Sequence, residues 1–233
     1  MLLLALDTTT MVCSVALGED NKLWAEYSLN IKKTHSQRLM PLLIHMFQES
    51  GLSRKDVGGI AVTVGPGSFT GIRIGMATAL GLSQGLGVPV VGVMTLDALA
   101  WSGVWFQGLI CPVLDARKDQ VYFALYRGGR DVPVEVKPAE ASGLNDLCSL
   151  LARYQEPVLF LGDAVERFCS ALRAATGSRY HEMPFSCGLN RASLVLQEGF
   201  RVWREKGPSP SYALTPFYIR PSEAERRIQE KNN

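Results

Sequence analysis

"AVTVGPGSFTGIRIGMATALGLSQGLG", residues 61–87, holds seven glycines and one charged side chain, Arg73. The β-branched start reads as a short buried strand, "GPG" as a turn, and the rest as a helix running to about residue 86. "VPVVGVMT" follows as another buried strand, and strand, helix, strand at this length implies a parallel crossover. On the helix, Gly71, Gly75 and Ala79 fall on one ridge, while Ala77, Gly81 and Gly85 fall on another. From Ile74 to Gly87 no charged face is offered to water, as expected of a helix buried all round. One face must cover its own sheet. The helix read at residues 38–48 can cover another part, and a second protein chain is the simplest completion of the burial.

Upstream, residues 2–6, 11–18 and 23–29 read as three strands joined by polar turns, a meander that opens the sheet. Leu39, Leu42, Leu43, Met46 and Phe47 follow the i, i+3, i+4, i+7, i+8 series of an amphipathic helix. Pro41 suits only a first turn, so this helix is expected to begin near residue 37 or to bend there.

Downstream the pattern restarts. Leu6, Asp7, Ala16 and Leu17 meet Leu114, Asp115, Ala124 and Leu125 at a constant offset of 108 residues, each set lying on strand, polar turn and second strand. Two related halves follow, 1–108 and 109–233. The second continues with a helix near 142–153, a strand at 157–162, and helices near 164–176 and 191–206. Residues 207–221 read as an extended, proline-punctuated segment, and the mixed-charge end as frayed.

The glycine turn has two readings. Gly65, Gly67, Ser68 and Gly71 precede a helix N-terminus and can present backbone N–H groups to a phosphate. Equally, Ser68 or Thr70 simply caps a tight turn. The turn is no Walker loop, because Ile72 stands where a lysine is required. Asp7, with Thr8 in "DTTT", and Asp115 in "DAR" occupy matching strand-to-turn corners, either as turn caps or near a phosphate-bound magnesium.

Other chemistry is poorly served. His35 and His45 are ten residues apart, which on one helix is ~15 Å of rise, so they cannot share a metal. His181 is isolated, and neither H-E-x-x-H, H-x-x-x-H nor G-x-S-x-G occurs. No catalytic constellation, resident metal or cofactor is expected. Five scattered cysteines without a C-x-x-C pair indicate reduced thiols rather than a disulfide framework. A net charge of +2, from 24 basic and 22 acidic residues, lacks the excess of a dedicated nucleic-acid binder, so any RNA contact is expected to be shared or indirect. The N-terminal apolar run ends at Asp7, too soon for a signal peptide, and the uncharged run 74–96 is interrupted by five glycines and Pro89, so no membrane span is expected.

"LALDTTT", "THSQRLMPLL", "VTVGPGSFTGIRIGMATALGL", "LDARKDQVY" and "PFYIRP" together resemble the TsaB (YeaZ) family, nearly from end to end. The resemblance implies an α/β fold of two actin-like (ASKHA, ribonuclease-H-like) subdomains, each a mixed sheet flanked by helices, in agreement with the repeat. It implies a cytoplasmic, non-catalytic scaffold that pairs with a related catalytic subunit, TsaD, and a P-loop ATPase, TsaE, in threonylcarbamoylation of the adenosine next to the tRNA anticodon. tRNA is then met through the complex, and a homodimer is expected when the chain is alone. The family's heterodimer contact is a helix bundle, which carries over to Leu39, Leu42, Leu43, Met46 and Phe47 and to Ile72, Gly75, Met76 and Ala79. Where relatives read Gly-Asp-Gly, this chain has Gly162-Asp163-Ala164, so a β-carbon is expected to crowd a nucleotide corner. The rival enzyme reading is an ATP-dependent phosphotransferase using Asp7, Asp115 and the Gly65–Gly71 loop; a peptidase reading can name neither nucleophile nor metal ligands.

Overall fold

A computed structural model of the protein describes residues 1–208 and 213–220. The frayed end expected at 222–233 lies outside the described residues, as do positions 209–212 and 221 of the proline-punctuated segment.

The first half runs β1 (Leu2–Asp7), β2 (Val12–Glu19), β3 (Lys22–Asn30), α1 (His35–Ser50), β4 (Val57–Gly65), α2 (Phe69–Leu86), β5 (Val90–Met94) and α3 (Thr95–Ala100). The second repeats that order as β6 (Leu109–Asp115), β7 (Gln120–Arg127), β8 (Val134–Gly143), α4 (Leu144–Leu151), β9 (Val158–Leu161), α5 (Val165–Thr176), β10 (Tyr180–Glu182) and α6 (Ala192–Lys206). Strand orders β3-β2-β1-β4-β5 and β8-β7-β6-β9-β10 are the same topology twice. Each sheet is mixed: β1 pairs antiparallel with β2 and parallel with β4, as β6 does with β7 and β9. This is the two-subdomain actin-like arrangement.

Two strands escape the sequence pattern. β8 carries Pro138 among charged residues, and it survives because it is an edge strand, where a missing N–H costs no ladder bond. β10 is only three residues long, at the opposite edge. The first helix starts two residues ahead of the expected position near 37. α1 begins at His35, which places Pro41 two turns inside it. Pro41 and Gln37 are both exposed, so the carbonyl that loses its helical donor is open to hydration.

β1 is buried on both faces and its alternation divides the core. Leu2, Leu4 and Leu6 meet α1 and α2, together with Val15 and Leu17 of β2 and Ile60 and Val62 of β4. Leu3 and Ala5 face the other way, toward α6, in a layer shared with Ile110, Leu114 and Leu161 of the second sheet. α4 and α5 cover the far side of that sheet over Phe123 and Phe160. The layers are therefore α1 and α2, first sheet, α3 and α6, second sheet, α4 and α5. We propose the division at 108/109 for the two sheets, with α6 as the element that crosses it: by sequence it belongs to the second half, but it packs on β1, β2, β4 and β5 of the first. Small residues make that approach close, since Ala5, Ala16 and Ala61 face the helix and a β-carbon on Gly199 would lie 2.8 Å from that of Ala61. The first sheet also caps α6, whose Ala192 and Ser193 amides donate to Ser14 Oγ at 2.9 Å and Glu26 Oε1 at 2.8 Å.

Candidate functional site

α2 is capped by Ser68, whose Oγ accepts from the Gly71 amide at 3.2 Å, and ends at Gly87 in the left-handed conformation, φ +69°. Between these caps its small residues serve two different ends. Gly71, Ile72, Gly75, Met76, Ala79 and Ser83 are buried against the protein's own first sheet. Contact with the β1 corner is close enough to require glycine: a β-carbon on Gly75 would lie 2.4 Å from Thr8 Oγ1, and one on Gly71 would lie 1.9 Å from the Thr8 carbonyl oxygen. Thr8 Oγ1 in turn donates to the Gly71 carbonyl at 2.7 Å.

Leu39, Leu42, Leu43 and Met46 of α1 lie in the same interior cluster. The residues expected at the partner contact lie mostly inside the monomer. Ile72, Gly75, Met76, Ala79, Leu39, Leu42, Leu43 and Met46 are buried in the folded monomer, while Phe47 is half-buried. The physical reason is that the strongest aliphatic stripe of each helix goes to its own sheet.

The second ridge of α2 is the open one. Arg73, Ala77, Gly81, Gln84 and Gly85 are exposed along it, and β-carbons built on Gly81 and Gly85 meet nothing within 4 Å. α1, which packs beside α2, turns Met40, 43% exposed, and Ile44, 54% exposed, to the same solvent side with Pro41. The result is a shallow, nearly uncharged helix pair. α1 is held in place from inside by Arg38, which donates to the carbonyls of Leu29 at 3.3 Å, Thr34 at 3.4 Å and Lys33.

The N-terminal ends of α1 and α2 reach a cleft of about 530 Å³ between the halves, lined by His35, Gly67–Thr70, Asp115–Arg117, Asp163 and residues 217–220. Of the expected phosphate-loop residues, Gly67, Ser68 and Asp115 line it and Asp7, Thr8, Gly65 and Gly71 do not. Asp7 is 1% exposed and fully engaged. Its Oδ1 accepts from the Thr9 amide at 2.9 Å, Thr9 Oγ1 at 2.7 Å and Thr63 Oγ1 at 2.9 Å, and its Oδ2 from Asn190 Nδ2 at 3.1 Å. It ties the β1 corner to β4 and to the loop before α6. The glycine turn is similarly occupied, because the Ser68 amide donates to the Thr9 carbonyl at 2.7 Å and the Gly71 amide is taken by the cap. Gly67, at φ +156°, would drive a β-carbon to 2.4 Å from that same carbonyl oxygen.

The matching corner of the second half is built differently. Asp115 is exposed, accepts from the Arg117 amide at 2.7 Å and pairs with Arg167 at 3.2 Å. Arg117, Lys118 and Asp119 follow in the left-handed region at φ +62°, +51° and +56°, at roughly 1–2 kcal/mol each. The Arg167–Asp119 pair at 2.8 Å braces that turn. Asp163, whose Oδ1 accepts from the Asp115 amide at 3.0 Å, touches solvent in the cleft yet is crowded by its walls. Desolvation, opposed by that bond and reinforced by the Asp115 charge, pushes its carboxyl up to about 6. Ala164, expected to crowd a nucleotide corner, instead points its methyl into the core beneath the second sheet, fully buried. Among the described residues no group of three or more His, Cys, Asp or Glu could hold a metal ion, and no helix is long and apolar enough to cross a membrane.

The family model for TsaD, tRNA N6-adenosine threonylcarbamoyltransferase, matches residues 23–151. The chain is 33% identical to the tRNA threonylcarbamoyladenosine biosynthesis protein TsaB of Bacillus subtilis over 97% of both chains. It is 40% identical to the TsaB of Escherichia coli over 54% of this chain and 55% of that one. Among solved structures, YeaZ from Pseudomonas aeruginosa superposes with a TM-score of 0.76 at 25% identity, covering 93% of this chain and all of the other.

Proposed function

Because the chain belongs to the TsaB (YeaZ) family, we propose that it serves tRNA threonylcarbamoyladenosine biosynthesis as a non-catalytic cytoplasmic scaffold, docking a TsaD-like subunit on the outer face of α1 and α2. The observation that carries this reading is the ridge of Ala77, Gly81 and Gly85, open on a folded monomer beside Met40 and Ile44, with Arg73 as the one full charge of its helix. Small residues let another helix approach closely, and a face without charge carries little desolvation cost. The match of a TsaD model to residues 23–151, which include α1 and α2, supports a partner that presents the same two helices, so that the pairs pack about a pseudo-twofold axis. The same face, self-complementary, makes a homodimer when that subunit is absent. A TsaE-like P-loop ATPase and tRNA then join the pair rather than this chain alone.

The phosphotransferase alternative loses its key residue, since the Asp7 carboxylate is consumed inside the protein. Gly81→Arg and Ala77→Arg test the docking reading. Both side chains emerge into solvent, so the variants should melt like the wild type and yet fail to co-elute with the TsaD-like subunit. Retained co-elution in both rejects the face.

A further inference from the structure

The extended segment 213–220 touches three parts of the molecule. Leu214 packs over β5, where a β-carbon on Gly92 would lie 2.7 Å from its Cδ1. The Phe217 amide donates to the Val64 carbonyl at 2.8 Å, continuing the end of β4. The Tyr218 ring lies 4.8 Å from that of Phe69 in the first turn of α2, and its hydroxyl accepts from Arg73 Nε at 3.1 Å. Beyond these first-half anchors, Arg220 Nη1 reaches across the cleft to the Ala116 carbonyl at 2.8 Å, beside the left-handed turn at 117–119. Residues 217–220 therefore form one wall of the cleft and bracket both halves.

We infer that segment 213–220 is a latch joining the cleft to the docking face, with Arg73 as the link; the docking half of this statement rests on the function proposed above. Arg73 belongs to the exposed stripe of α2 that continues through Ala77 and Gly81. With the latch closed, its guanidinium lies 3.9 Å over the Phe69 ring and its Nε is held by Tyr218, which draws the cation toward the cleft and leaves the small-residue ridge clear. With the latch released, Arg73 loses its tether to Tyr218 and is free to lie along the ridge, where an incoming helix would have to desolvate it. The partner thus binds the latched state more tightly than the released one. That differential affinity is what coupling requires, and by reciprocity docking must hold the latch, and with it Arg220 on Ala116, closed.

The full-length chain tests this in two arms, using Arg220→Ala, which cuts the second-half anchor, and Tyr218→Phe, which removes only the hydroxyl. In the isolated protein, hydrogen exchange at the Phe217 amide reports opening. Loss of one anchoring hydrogen bond should speed it roughly tenfold in Arg220→Ala, with no change at core amides such as those of β1. With the TsaD-like subunit added, exchange at Phe217 should slow in the wild type, and Tyr218→Phe should weaken docking by roughly three- to tenfold although residue 218 lies off the docking stripe. Unchanged exchange at Phe217 in both variants overturns the latch. Docking that Tyr218→Phe leaves at wild-type affinity overturns the coupling alone, whereas a wild-type chain that binds no subunit overturns the docking reading and the coupling with it, independently of the exchange arm.

Discussion

The same substitution at two glycines of α2, ten ångströms of helix axis or less apart by a rise of ~1.5 Å per residue, should move stability in opposite directions. At Gly81 a methyl enters open space, so Gly81→Ala gains only the helix propensity difference, about 1 kcal/mol, and should raise Tm by about 2–4 °C in a chain of this size. At Gly75 the same gain is opposed. The new β-carbon would stand 2.4 Å from Thr8 Oγ1, a buried hydroxyl already committed to the Gly71 carbonyl at 2.7 Å. Relief requires either breaking that bond, at about 1–3 kcal/mol, or displacing α2 from the sheet, at a similar overpacking cost. After the propensity gain, Gly75→Ala should be net destabilised by up to about 2 kcal/mol. Urea unfolding of both variants and the wild type, fitted with a common m-value, measures the difference. A stabilised Gly75→Ala together with a destabilised Gly81→Ala would show that the assignment of inner and outer ridges is reversed.

Three further outcomes follow from the same structure. Asp97 is pushed up to about 6, chiefly by burial, with a hydrogen bond from the Tyr126 hydroxyl at 2.6 Å acting the other way and Glu198 adding to the rise. Because its folded pKa stands above the unfolded value of 3.8, the folded state holds the proton more tightly. Its contribution to stability is therefore present at low pH and lost as pH rises between about 4 and about 6, by at most about 3 kcal/mol; Asp97→Asn should flatten this slope in urea titrations at successive pH values. Asp7→Ala strands buried donors from Thr9, Thr63 and Asn190 and should cost about 3–5 kcal/mol, whereas Asp115→Ala at the matching exposed corner should cost about 1 kcal/mol or less, again read by urea unfolding. Equal losses at the two corners would refute the distinction between a buried lock and a surface pair.

The chain's own periodicities sufficed for much of the fold. Short-range patterns such as the Leu39–Phe47 series and the β-branched run into "GPG" are local, so α1, β4 and α2 are legible in the sequence itself, and the 108-residue offset discloses the repeat. β8 was not legible, because Pro138 and its charges mark a strand only once an edge position excuses them. Which ridge of α2 faces inward was decided by tertiary structure. Helical spacing separates Gly75 from Gly81 but says nothing of the Thr8 corner that one of them must clear. The two aspartates make the same point: "LALD" and "PVLD" look alike in sequence, yet Asp7 is locked by Thr63 and Asn190, far along the chain, while Asp115 meets Arg167 at the surface. Local propensity writes the elements, whereas partners brought from distant sequence decide what each polar group and each bare ridge is for.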